Sequence, residues 1–421
     1  MTPGRSTVLM PDGQATARSR AAEEELISRD PCVKALRLIF HDDEELSTSL
    51  GRPAHVTRIR YKPASSVVIT FVTSKDTETG DRWSAHGWLA GYSDDAKVGK
   101  TLMTAQRVGV AAERIERVHA TVHGSVTADR RLSGTLFRLN RAFPELTRSS
   151  TLLRHNPHRR VLLRTSGPQA DLVVKVWPRV RRAGAEGRLG QVELLDHLIA
   201  AGIPAMGFRH PKSLRDVVIG EWWGAGDLAT VQSPDAAYRA GTALAAVHAS
   251  CVHPGRFALA SRDAKLSSCS ESARAAVAIA VVLPEFAHRA RLLVQAIDER
   301  REGSIRPRHP VLTHGDFSPA QVLVGRDEIR LIDFDRAGWS VPERDLGSFA
   351  AASILLRRPD LAVALFDGYT DAGGELHPEE LHPWLAHSLL SRAIDPFRYR
   401  APDWAGDVER ILAAAEQALE R

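Results

Sequence analysis

Cysteine is scarce in this 421-residue chain: Cys32, Cys251 and Cys269 are an odd number without metal-ligand spacing, which excludes a disulfide framework and a zinc site. No apolar run is long enough to span a bilayer and the start carries no signal-peptide core, so a cytoplasmic protein with no membrane partner is expected. The net charge is +5 and the pI about 9.3, yet the arginines are scattered, with one local cluster from Arg179 to Arg182. No nucleic-acid motif or aromatic platform accompanies them, so nucleic acid is not expected as a partner. Apolar material is ample, with 43% hydrophobic and 25% charged residues, enough for more than one core.

The chemistry concentrates between Pro310 and Phe349. Pro310 to Thr313 reads as a short strand leading into His314-Gly315-Asp316; Gln321 to Val324 and Ile329 to Ile332 read as two more, joined by a turn at Gly325-Arg326-Asp327. These strands carry Asp316, and Asp333 of Leu331-Ile332-Asp333-Phe334-Asp335, to one edge. Two carboxylates so framed can divide phosphoryl transfer. One accepts the proton of the attacking hydroxyl, and the other holds the magnesium that bridges the nucleotide phosphates. Such a site also needs a strand lysine, and Asp171 to Trp177 supplies Lys175 among β-branched residues.

Three segments, His-Gly-Asp-Phe-Ser-Pro-Ala-Gln-Val-Leu from 314, Leu-Ile-Asp-Phe-Asp-Arg-Ala-Gly from 331 and Pro-Glu-Arg-Asp-Leu-Gly from 342, together resemble the aminoglycoside phosphotransferase/choline kinase family. The resemblance implies an α+β, protein-kinase-like fold of two lobes, a small antiparallel-sheet N-lobe and a mainly helical C-lobe, using ATP and Mg2+. It implies Asp316 as the base, Asp333 as a magnesium ligand, Asp345 as a residue bracing the loop and His314 as a hydrogen-bonding brace. The family's loop runs His-Gly-Asp-x-x-x-x-Asn, and here the Asn position is Gln321. Gln keeps the amide oxygen one methylene further out, and magnesium demands near-ideal octahedral geometry. Either the backbone compensates or the second metal site is weak or lost.

By the same resemblance Lys175 contacts phosphate. The helix from Leu189 to Ala201 has Gln191 where the family would place Glu, and Glu193 two residues on. These two face different sides of a helix, so one alone can point at Lys175, and Glu193 is the favoured partner. The hairpin from Arg159 to Thr165 through Ser166-Gly167-Pro168 lacks a glycine-rich loop, which leaves more phosphate charge to Lys175 and magnesium. Val217 to Gly224 resembles the inter-lobe hinge, with Glu221 and Trp222 beside the purine; Trp222 and Trp223 also read as plain core or surface aromatics.

Helical spacing marks Ala236 to Ala249, with His248 a packing residue near its end, and Ala273 to Val282, Ala287 to Ile297, Ser348 to Leu356, Leu361 to Tyr369, Trp384 to Ala393 and Val408 to Leu419. These divide the chain into a mobile tail (1–30), an additional α/β region (31–150), an N-lobe (151–223) and a C-lobe (224–421). Arg60 to Thr70 aligns with Arg154 to Arg164 at a constant offset, so the additional region reads as a diverged small lobe; a chance match, or a cap of the maltokinase-like kind, are the other readings. From Asp371 onward ten acidic residues face five arginines, a balance suited to a cationic or polyhydroxylated acceptor.

The expected function is transfer of the γ-phosphoryl group of ATP to a hydroxyl of a small molecule, an aminoglycoside-like antibiotic or another hydroxylated metabolite. A maltokinase-like sugar kinase and a catalytically impaired nucleotide-binding protein are the alternatives. Oligomeric state is not legible.

Overall fold

The computed structural model describes residues 15–40, 43–73, 83, 85–179, 182–211, 213–250, 252, 257, 264–302 and 310–420, with the side chains of 43, 182–188 and 264–270 outside that description. Cys251 and Cys269 therefore lie outside the described side chains, and Cys32 is an exposed free thiol.

Two antiparallel sheets occupy the first half. In the first, β1 (Ala54–Lys62), β2 (Ser66–Thr73), β3 (His86–Tyr92), β4 (Ala112–Arg114) and β5 (Thr121–Ser125) run in the order β1-β2-β3-β5-β4, with the helix Ala96–Arg107 between β3 and β4. In the second, β6 (Thr151–Asn156), β7 (Arg160–Thr165), β8 (Leu172–Val176) and β9 (Val217–Glu221) pair in chain order, with the helix Arg182–Ala200 after β8. An antiparallel bridge from Arg209 to Ile219 adds a partial fifth strand beside β9.

The pleat sets what each strand offers. Along β7, Val161, Leu163 and Thr165 turn inward, where Val161 and Leu163 join Leu136 and Leu139 of the helix Ser133–Ala142. The alternate residues face the other way, and Leu162 lies opposite Lys175, which lies opposite Val218. Lys175 is thereby placed on the side of the sheet away from that core.

The C-lobe is mainly helical. After β10 (Gly226–Asp227), the strands β11 (Val311–Thr313), β12 (Val322–Val324), β13 (Ile329–Leu331) and β14 (Gly338–Ser340) make two small antiparallel sheets, β10-β12-β13 and β11-β14. Phe317, Phe334 and Phe349 are fully buried beneath them with the helices Pro234–Ala249 and Pro359–Asp371. A second core joins β1 and β2 to the helices Ala287–Glu302, Pro378–Arg392 and Trp404–Glu420, so the additional region and the C-lobe bury one continuous apolar surface. Among the described residues no helix is long and apolar enough to cross a membrane.

The expected mobile tail requires correction. Residues 1–14 lie outside the described residues, but Ala17–Arg29 is a helix capped by Thr16, with Ser19, Glu23 and Leu26 buried. Glu23 accepts hydrogen bonds from Arg400 (2.5 Å) and from the Trp404 indole (3.1 Å). Its inward face is partly polar and is satisfied by partners almost four hundred residues away, so it shows no apolar periodicity.

Candidate active site

The turn after β11 is built on an absent side chain. Gly315 has φ +82°, and a Cβ there would lie 2.1 Å from the Arg336 carbonyl oxygen. Beneath it Asp345 is fully buried in the first turn of the helix Glu343–Leu355, accepting from the amides of His314 (2.6 Å) and Gly315 (2.8 Å) and from His248 Nε2 (3.2 Å). Burial alone would raise this carboxyl; hydrogen bonds from His248 and Gly315 and the nearby His314 outweigh it and hold the group below its usual range. His248, expected only to pack, thus ties Asp345 to the Tyr369 hydroxyl through its Nδ1 (2.9 Å). The fully buried His314 pairs its Nε2 with the Ile332 carbonyl (2.8 Å) and stacks obliquely on Phe334, the geometry of a brace.

Asp316 projects from this fixed loop with 43% of its side chain exposed. Arg336 Nε stands 3.8 Å and Arg392 Nη2 3.7 Å from its two oxygens. Gln321 ends the short 3-10 turn Pro319–Gln321 and its carbonyl accepts from the Ile332 amide (2.9 Å), which sets it across from the residue before Asp333.

Asp333 has φ +68°, and Lys175 Nζ reaches its Oδ1 at 2.5 Å and Asp335 Oδ1 at 3.3 Å. Arg160, at the start of β7, stands 3.3 Å from Asp333 and 3.4 Å from Asp335. Burial would raise Asp333, but Lys175 and then Arg160 drive it far below the usual carboxylate range. Asp335 moves the other way, raised by burial and by the neighbouring Asp333 despite Lys175. Lys175 and the two carboxylates thus line a small cleft with Gln191, Phe208 and Val218, and Arg160 holds the carboxylates from beside it.

One expected partner is misplaced. Glu193 is exposed, whereas Gln191 faces the cleft and donates to the Asp335 carbonyl (3.0 Å), so Lys175 finds its carboxylates in the C-lobe. The hinge residues also differ from expectation. The Glu221 side chain is exposed, the Trp222 amide donates to the Asp171 carbonyl (2.7 Å), and the Trp222 ring carries the Arg164 guanidinium 4.5 Å from its centroid. Neither side chain lines the cleft around Lys175. The acidic excess beyond Asp371 does not gather at Asp316 either: Glu409 pairs with Arg18, Glu416 with Arg289, and Asp403 and Asp407 with Arg410.

Arg160 and Asp335 are the residues that motif reasoning passed over. Their signals were present, an arginine two positions before Leu162 on the face shared with Lys175 and a second carboxylate two residues after Asp333.

No group of three or more metal-ligating side chains occurs among the described residues. Magnesium does not require one, since it is commonly held by one or two carboxylates together with phosphates and water. Asp333 and Asp335 present carboxylate oxygens of that kind on the cleft wall, and Gln321 lies across from Ile332 through its backbone.

Comparison with known proteins bears on the same segments. No curated protein matches the chain. Among solved structures, a thermostable mutant of aminoglycoside phosphotransferase APH(4)-Ia, in ternary complex with ADP and hygromycin B, is 13% identical with a TM-score of 0.50, covering 67% of this chain and 97% of its own. A choline/ethanolamine kinase family protein from Mesorhizobium loti is 18% identical with a TM-score of 0.47, covering 64% of this chain and 88% of its own. At such identity the first of these speaks for a shared protein-kinase-like fold alone. The phosphotransferase enzyme family, APH, matches residues 151–384, more than half of the sequence. This chain belongs to the APH phosphotransferase enzyme family.

Proposed function

We propose that this protein transfers the γ-phosphoryl group of ATP to a hydroxyl of a small molecule, an aminoglycoside-like antibiotic or another hydroxylated metabolite. The observation that carries the reading is the division of carboxylates: Asp316 half-exposed on a rigid loop, Asp333 and Asp335 held in the cleft by Lys175 and Arg160. Asp316 accepts the hydroxyl proton as the oxygen attacks phosphorus. Lys175 and Arg160 exchange their carboxylate partners for nucleotide phosphates, a role for which both an ammonium and a planar guanidinium are suited. Asp333, Asp335 and Gln321 would hold magnesium, which neutralises charge on the phosphates. Residues 151–223 serve as the nucleotide lobe, 224–421 as the catalytic and acceptor lobe, and 31–150 as a supporting region. Glu221 and Trp222 contribute to the hinge through backbone and packing. The setting we propose is the cytoplasm.

The test pairs a thermal-shift panel of ATP, GTP and magnesium with ADP-release assays over aminoglycosides, sugars and sugar derivatives. Stabilisation by magnesium with ATP, together with acceptor-dependent ADP release, is expected. Stabilisation without turnover on any acceptor would instead favour a nucleotide-binding protein that no longer catalyses, the reading suggested by Gln191 where an acid would serve Lys175.

A further inference from the structure

Around Asp316 the C-lobe gathers positive charge. Arg336 and Arg392 flank its oxygens at 3.8 and 3.7 Å, and Arg336 and Arg344 share Glu271 at 3.9 and 3.6 Å. Three guanidinium groups thus face two carboxylates. These separations are too long for hydrogen bonds, so the guanidinium N–H groups are not consumed by the acids beside them. Arg392 is fixed by donating to Ser348 Oγ (2.9 Å) and to the Ser388 carbonyl (3.3 Å). His387, the imidazole in this cluster, is held neutral and adds no charge of its own. Burial, then the fields of Arg301, Arg344 and Arg392, push it down to about 3, and its Nδ1 is paired with Ser272 Oγ at 2.6 Å. From the N-lobe side Arg159 is lowered by burial and by Arg398, Arg336 and Arg160, a sign that it shares the same positive field.

A cationic acceptor entering here would set its ammonium groups among like charges, at a cost that grows as water is excluded. An anionic acceptor would meet forked donors on a rigid support. We propose that the acceptor is a hydroxylated anion whose carboxylate or phosphate is held by Arg336, Arg344 and Arg392 while its hydroxyl meets Asp316. The inference rests on the phosphotransferase reading and names its substrate class. In the transfer, the hydroxyl oxygen bonds to the γ-phosphorus, the bond from that phosphorus to the bridging oxygen breaks, ADP leaves with the electron pair, and the hydroxyl proton passes to Asp316.

The test is ADP release by the full chain with magnesium and ATP against gluconate, glycerol 3-phosphate and glucose 6-phosphate, beside kanamycin and maltose. Binding of each is also measured with a non-hydrolysable ATP analogue. At least one anion should bind and turn over in preference to the cationic and neutral probes. Arg392→Gln should raise the KM for that anion about tenfold to a hundredfold, with a smaller effect on kcat, as expected for a charged hydrogen bond that positions substrate. Arg392→Lys should recover part of the loss. Preference for kanamycin or maltose in a protein that magnesium and ATP still stabilise would overturn this proposal and leave the phosphotransferase reading standing, whereas stabilisation with no turnover on any probe would overturn both. A kcat loss equal for all acceptors with KM unchanged would also overturn it, by assigning Arg392 to the transferring phosphoryl group. Failure of magnesium and ATP to stabilise the protein at all would overturn both.

Discussion

Gly315 and Asp316 are adjacent but answer to different constraints. Gly315 is fixed by sterics: its left-handed φ and the Arg336 carbonyl 2.1 Å from where a Cβ would sit leave room for hydrogen alone. Gly315→Ala should therefore lower stability by at least about 1–3 kcal/mol and displace the loop, with turnover falling in parallel. Urea unfolding beside a turnover assay checks this, and a wild-type midpoint would refute the steric account. Asp316 is fixed by chemistry, since among the described residues its half-exposed side chain makes two long ion-pair contacts and contributes little to the fold. Asp316→Asn should reduce turnover by about two to four orders of magnitude while the melting shift caused by magnesium and ATP persists. Undiminished turnover would remove Asp316 from the role of base.

At the scale of elements, the β6–β7 turn is held down by the additional region. Asp129, fully buried, accepts from the amides of Arg131 (2.9 Å), Leu132 (3.3 Å) and His158 (2.7 Å) and from His155 Nε2 (3.0 Å). Arg60 reinforces it by donating to the Pro157 carbonyl (3.2 Å). Arg160 follows directly in β7, so the clamp sets the entry of that arginine into the cleft. Asp129→Ala strands buried donors and should destabilise by about 3 kcal/mol while weakening the ATP-induced melting shift; Asp129→Asn, retaining one acceptor oxygen, should recover part of both. A full ATP shift in the Ala variant would show that the turn holds without the clamp. None of this was legible in the sequence, because Asp129 and His158 meet only in the fold. β11, β12 and β13 were legible, being short apolar runs punctuated by turn residues. The helix expected from Ser348 begins at Glu343 instead, its first turn being polar and apolar periodicity beginning only beyond it. Gln191 and Glu193 could be separated only by knowing which face of their helix met the cleft.

At the scale of the whole molecule, the two sheets share one connectivity, three strands, a helix, then the closing strand or strands, with the last strand paired to the third. The offset that aligns Arg60 with Arg154 carries Leu162 onto Val68, and the residue opposite Val68 is Ala90 where Leu162 faces Lys175. If the first sheet is a diverged copy of the second, as we propose, it has lost the phosphate-binding position and survives as support. Its apolar surface is continuous with that of the C-lobe, so the regions should unfold together. Acid should weaken that single transition through buried histidines. His158 is pushed down to about 4 and His387 to about 3, in both cases first by burial. His86 and His123 are lowered for the same reason. A histidine whose folded pKa is depressed binds its proton first in the unfolded chain, so its stabilising contribution is complete above about 6.5 and is lost as pH falls from there toward the folded value. The lowered carboxyls of Asp129 and Asp345 act in the same direction but only below about 4, the ordinary carboxylate range. Between pH 6.5 and 4, then, the unfolding free energy should fall by up to about 1.4 kcal/mol per pH unit for each such histidine. His158→Asn is the decisive variant, because Asn tolerates the +63° φ at this position and leaves the backbone in place. It should flatten the slope between pH 6 and 5 by about one proton's worth, and a profile already flat from pH 7 to 5 in the wild type would refute the burial of neutral histidines as the source of acid sensitivity.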